Sequence, residues 1–157
     1  LMQGDALGGG FECALSFGTL IAEKRARFGM PEVLFNMFPG MGAYSLLSRR
    51  VGPLKAEEMI MSGRIYSADE MHALGLVEQV VEDGAGEQAV RDYIARNTRR
   101  HSTIQAIHDV RRRVSSLTLQ ELLDVTDRWV DEAVRLDESS LRRMERLRGA
   151  QNRRTTA

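Results

Sequence analysis

Two glutamates stand where apolar residues would pack better. Glu12 follows three glycines in GDALGGGFECALS (4–16), and Glu32 follows a proline in ARFGMPEVLFNMFPGMG (26–42). Paired carboxylates in unequal apolar surroundings titrate apart and can work as acid and base. The glycines beside Glu12 offer a complementary function. Without a Cβ, glycine lets main-chain N–H groups approach a substrate closely. The first N–H groups of a helix have no internal partner and lie at the positive end of its dipole. A carbonyl oxygen held there can become an oxyanion in a transition state, and losing one such donor costs ~10²–10³ in rate. The alternative is structural: the glycines permit close packing and Glu12 points to solvent. Residue types alone leave the two readings level, and the second lone glutamate favours the first.

Other chemistries fit less well. A dinucleotide loop requires G-x-G-x-x-G or a final Ala; counted from Gly8, the third position is Cys13. A phosphate-binding Gly-Lys-Ser/Thr is absent as well. Cys13 follows Glu12 directly, so on a helix it points ~100° away, and a buried structural thiol is expected. His101 and His108 are seven residues apart, too far along a helix to share one metal. No metal site is expected.

The elements that must position the glutamates can be read from glycine punctuation and periodicity. A short buried helix is expected over 10–17, a strand over 19–23, extended chain over 26–28 and helices over 43–50 and 54–62. Ser67 and Glu70 form a capping box for a helix ending at Gly75, with a strand over 76–81. Beyond residue 83 the sequence reads as helical, over 87–99 and 103–114. One long last helix then carries Leu119, Leu122, Leu123, Thr126, Trp129, Val130, Ala133 and Val134 at steps of three and four, a stripe that resumes at Leu141, Met144 and Leu147. Such a helix needs a surface to lie on. The tail QNRRTTA is expected to fray. Arg142, Arg143, Arg146 and Arg148 make a basic end, read as a solvated face with Glu145 as partner, with docking to an acidic carrier protein or CoA phosphates as the alternative.

With 157 residues, 43% of them hydrophobic and 28% charged, the chain has the size and composition of one soluble globular domain. Net charge is zero, so no global field argues for nucleic acid or membrane as partner, and neither is expected. No apolar run reaches membrane-spanning length. The single cysteine fits a reducing compartment, and a cytoplasmic location is expected. The chain opens LMQGD, without an initiator Met and close to the glycine loop, and it reads as the C-terminal part of a longer protein.

GDALGGGFECALSFGTLIAEKRARFGMPEVLFNMFPGMGAYSLLSRRVG resembles the central signature of the crotonase superfamily, the enoyl-CoA hydratases and isomerases, and KAEEMIMSGRIYSADEMHALGLVEQVV is similar to the segment that follows it. Within that superfamily GDALGGGFE, PEVLFNMFPGMGAYS and the tail WVDEA…SLRRMERLRGAQNRR look most like the diffusible signal factor synthases. The resemblance implies an α/β fold: the C-terminal turns of a ββα spiral over 1–82, with active-site loops, then a helical region over 83–157 for oligomerisation and as a pocket lid. It implies that Glu12 and Glu32 are catalytic and that Gly9, with Gly8 next, supplies an oxyanion N–H. A second oxyanion donor comes in the family from an upstream loop that this sequence lacks. Leu7, Met41 and Trp129 are the candidates for an acyl pocket, each with ordinary packing as its alternative.

The activity so implied is dehydration of a 3-hydroxyacyl carrier-protein thioester to a cis-2-enoyl product, then thioester hydrolysis to a free fatty acid. The roles of acid and base stay open between the two glutamates. No cofactor is implied beyond the carrier of the substrate, acyl carrier protein phosphopantetheine or CoA. A homo-oligomer, in the family often a trimer, is expected, and a regulatory protein partner is left open. Two alternatives stand beside this reading: a hydratase or isomerase of another CoA thioester, and a non-catalytic helical oligomerisation fragment.

Overall fold

A computed structural model describes residues 1–155, with side chains through Ala150. The order of elements is β1 (Ala6–Leu7), α1 (Gly9–Leu15), β2 (Ile21–Glu23), β3 (Arg27–Gly29), a 3₁₀ segment (Pro31–Phe35), α2 (Ala43–Val51), α3 (Pro53–Ser62), β4 (Ile65–Ser67), α4 (Ala68–Ala73), β5 (Gln79–Val81), α5 (Gly86–Thr98), α6 (His101–Val114), α7 (Leu119–Ala133) and α8 (Glu138–Thr155). The architecture is α/β and mostly helical.

The strands are short and form two small sheets. β3 lies between β1, which pairs parallel with it at Ala6–Phe28 and Leu7–Gly29, and β4, which pairs antiparallel. β2 and β5 pair in parallel, with Ala22 opposite Val80. One core fills the space between sheets and helices, with Phe11, Leu15, Phe28, Met30, Leu47, Met59 and Met71 almost fully buried. Phe11 of α1 and Phe28 of β3 meet edge to face with ring centroids 5.5 Å apart, an arrangement that adds to simple burial. This contact seats α1 on β3 and thereby fixes the glycine turn relative to the chain leading to Glu32.

Local rules explain several boundaries. The expected capping box is present: Ser67 Oγ accepts from the Glu70 N–H, and Glu70 Oε2 accepts from the Ser67 N–H at 2.8 Å. Glu23, fully buried, accepts from Gln3 Nε2 at 3.0 Å and from the Gly86 N–H at 3.3 Å, tying the start of α5 to β2. The Gln3 amide, foremost, holds the Glu23 carboxyl below the usual carboxylate range.

Three expectations need correction. The long last helix is two helices, because Asp137 starts a new one: its carboxylate accepts from the Ser140 N–H at 2.8 Å, and the chain turns between Val134 and Asp137. This break lets α8 come back onto the 3₁₀ segment. Cys13 is exposed rather than buried. The ion-pair partner of Arg142 is Glu138, at 3.0 Å, rather than Glu145. The fraying expected for residues 151–157 lies outside the described residues, save for helical backbone as far as Thr155.

Leu47 of α2, fully buried, sits where α1 and α3 both pack on that helix. Leu47→Ala is expected to lower the unfolding free energy by ~2–5 kcal/mol, read from urea denaturation at unchanged m-value.

Candidate active site

The site grows from the turn at Gly8. Its φ of +57° is a conformation that side chains with a Cβ rarely adopt. A Cβ there would also lie 2.6 Å from Glu32 Oε1, so the carboxylate occupies the space a side chain would fill. The Gly8 carbonyl accepts from the N–H groups of Phe11 and Glu12 and opens α1. Of the two candidate oxyanion donors, Gly8 is spent: its N–H donates to the Gly29 carbonyl at 2.8 Å. Gly9 is the first residue of α1, so its N–H has no partner within the helix. Gly8 therefore shapes the turn, and Gly9 is the donor that the geometry leaves available.

Glu12 is buried one turn into α1. Its Oε1 accepts from the N–H of Met41 at 2.7 Å and of Ala43 at 3.2 Å. Ala43 begins α2, so the carboxylate lies at a helix N-terminus, where negative charge is favoured. Burial nevertheless raises the Glu12 pKa, and the two amides offset only part of that effect. Glu32 lies in the first turn of the 3₁₀ segment, where Pro31 presets the entry, and α3 and α8 pack on that segment. Its Oε2 is buried without a hydrogen-bond partner. The Glu32 pKa rises to about 7, through burial first and the neighbouring Glu12 charge after it, against the opposing effect of its own backbone N–H. The two carboxyls thus feel each other across the glycine turn, one held by two amides and the other with a free oxygen.

Met41, 64% exposed, places its sulfur beside Gly9, 3.4 Å from where a Cβ would stand. Leu7 is half-buried at the end of β1, one residue before the turn. Trp129 of α7 packs so closely on Gly40 that a Cβ there would come within 2.3 Å of its ring. An apolar cavity of about 500 Å³ opens beside this loop, lined chiefly by Phe38, Pro39, Tyr44, Ile60, Met61 and Val125. Leu7, Met41 and Trp129 stand outside that lining. Sequence reasoning missed the cavity because its walls come from three helices and a loop, and only the apolar run around Phe38 signalled it. Among the described residues no three His, Cys, Asp or Glu side chains converge as a metal-binding group, and no helix is long and apolar enough to cross a membrane.

Known proteins share this arrangement of elements. The family profile of enoyl-CoA hydratase/isomerase matches residues 1–148. A short-chain-enoyl-CoA hydratase of Clostridioides difficile is 44% identical over 80-odd residues, 52% of each chain. An enoyl-CoA hydratase subunit of Geobacillus kaustophilus superposes with a TM-score of 0.67 at 31% identity, over 80% of this chain and 49% of that one. DspI of Pseudomonas aeruginosa superposes with a TM-score of 0.57 at 36% identity, over 61% of this chain and 37% of its own. The chain thus spans only part of its relatives, and the first curated match covers 31% of the relative's length. With the family profile running through nearly the whole sequence and the crotonase fold shared with these structures, this chain belongs to the enoyl-CoA hydratase/isomerase family.

Proposed function

We propose that this chain carries the acid–base half of an acyl-thioester hydratase that adds water to, or removes it from, the C2–C3 bond of a CoA thioester. The observation that carries this reading is the pair Glu12 and Glu32 on either side of the glycine turn, one amide-held and one with an unpartnered oxygen, next to the Gly9 N–H. The thioester carbonyl would accept from Gly9, and a second donor would come from residues outside this sequence. In dehydration, ionised Glu12 takes the Cα proton while charge builds on the carbonyl oxygen. Protonated Glu32 gives its proton to the departing 3-hydroxyl, which leaves as water. Hydration runs the same steps backward, so the pair holds one proton throughout and titrates as a unit. The chemistry requires no cofactor beyond the carrier of the substrate.

The narrower expectation of a signal factor synthase has less support. The named relatives are chiefly hydratases of CoA thioesters, and no group assigned here is dedicated to thioester hydrolysis. The PEVLFNMFPGMGAYS segment, on which the resemblance to the signal factor synthases rests, keeps the carrier-protein substrate as the second reading. Homo-oligomerisation belongs to the same proposal: α6 and α7 bury no residue in the single chain and expose Val110, Val114, Leu119 and Val134, an apolar face that a second copy would cover.

The deciding assay follows hydration of crotonyl-CoA, and dehydration and release of 3-hydroxyacyl groups from CoA and from acyl carrier protein, with this chain and with the longest native form of the protein. Turnover of CoA thioesters without free acid supports the hydratase; free acid from the carrier protein alone supports the second reading. Glu12→Gln and Glu32→Gln should each lower kcat by ~10²–10⁴, and wild-type rates in both variants would sink either enzymatic reading. Dehydration should decline as pH rises through about 7, where Glu32 loses its proton, and that limb should vanish in Glu32→Gln. Stability follows the same sign. Between the ordinary carboxylate pKa and about 7 the folded chain holds a proton that the unfolded chain has released, so stability falls as pH rises through this window. Glu32→Gln should therefore stabilise the chain at pH 8 more than at pH 4, as read from paired thermal melts.

A further inference from the structure

Helix α7 lies outside the spiral core yet reaches the site through the loop that holds Glu12. On one face of α7, Leu122, Thr126 and Trp129 follow at steps of four and three, which places them in a row. All three meet the loop Pro39–Gly42. A Cβ at Gly40 would come within 2.3 Å of the Trp129 ring, and one at Gly42 within 2.8 Å of Leu122 Cδ2. The Thr126 hydroxyl approaches the Gly40 carbonyl at 3.3 Å, although its single proton has a shorter bond to Leu122 O at 2.8 Å. Between those two glycines stands Met41, whose N–H is the shorter of the two bonds to Glu12 Oε1. One side of the loop is thus pressed by α7, and the other presents its amides to the carboxylate.

The start of α7 is itself tied to the helix that the loop opens. Arg49 of α2 donates to Glu121 Oε1 at 2.9 Å and Oε2 at 2.7 Å, and to the Ser116 carbonyl at 2.8 Å. A bidentate guanidinium–carboxylate pair fixes orientation as well as distance. The Thr118 side chain caps α7 by accepting from the Glu121 N–H. Helix α7 is therefore bound to α2 at one point by charge and to the loop at two points by shape. No residue of α7 is buried, so the helix adds little to the core, and Leu122 and Trp129 meet the loop on which Glu12 is held.

We propose that α7 is a positioning element for Glu12: Leu122 and Trp129 clamp the Gly40–Gly42 loop so that the Met41 and Ala43 N–H groups stay aimed at the Glu12 carboxylate. Both are positioning residues, acting on Glu12 only through that loop. This inference rests on the reading of Glu12 as a reacting group, but its test involves no turnover, so either can fail alone. In ¹³C-labelled 157-residue chain, the Glu12 carboxyl resonance is titrated in the wild type, Leu122→Ala, Trp129→Leu and Asp131→Asn, the last an exposed control on the same helix. Loosening the clamp withdraws two donors from the charged form and changes its hydration, so the Glu12 midpoint should be displaced in the first two variants and stay put in the control. A merely structural role for α7 would lower the melting temperature and leave that midpoint alone. An unchanged midpoint in both clamp variants overturns the proposal. Native-state hydrogen exchange on the unmodified chain gives a reading even where a variant does not fold. The Met41 and Ala43 amides should open together with those of α7, and protection that outlasts α7 by about a hundredfold or more would overturn the proposal.

Discussion

The peptide unit at Gly8 is the joint on which the site depends. Its N–H is bonded to the Gly29 carbonyl, its own carbonyl starts α1, and the space over its Cα is filled by the Glu32 carboxylate. Any side chain at this position would both strain a backbone φ of +57° and expel that carboxylate. The bond to Gly29 also carries the pairing of β1 and β3 one residue beyond Leu7, so the sheet, the helix and the second acid share one attachment. A turn so constrained can present the Gly9 N–H in a fixed direction without help from neighbouring side chains.

Around that joint the two acids are differentiated by what surrounds them rather than by their own chemistry. Burial raises the pKa of both. Glu12 recovers part of the lost hydration from two amides at the start of α2, whereas Glu32 leaves one oxygen with nothing to accept from. An unsatisfied buried acceptor is costly unless the group is protonated or a ligand supplies a donor. The asymmetry gives one carboxyl a reason to be charged and the other a reason to carry the proton, which is the condition for passing a proton between two positions on one substrate.

Much of this was legible in the sequence. Lone glutamates in apolar runs and a glycine triplet before the first of them are local signals, and the capping box at Ser67 obeys a fixed spacing. The availability of Gly9 over Gly8 was not legible, because it depends on a carbonyl from β3. Nor was the break after α7: the apolar stripe runs on through Leu141, and only Asp137, a helix-starting residue by type, marked it. The exposure of Cys13 and the walls of the 500 Å³ cavity likewise follow from which helices pack where. Such choices are tertiary, and periodicity along one segment carries no information about the segment it will meet.

The parallel pairing of β2 with β5 has a consequence for how the chain comes to fold. β3, the 3₁₀ segment, α2, α3 and α4 lie inside the loop that this pair closes, whereas β1 and α1 precede it. Closing a long loop loses chain entropy before the contacts across it are gained. Glu12, in α1, stands on the near side of that closure, while Met41 and Ala43 lie within it. The Met41 and Ala43 bonds to Glu12 span 29 and 31 residues, a shorter closure than the one from Ile21 to Gln79, so the acid gains its amide partners by the less costly of the two steps. The perturbed chemistry of the site is in this sense a product of tertiary folding, absent from any chain in which α1 and the start of α2 have not met.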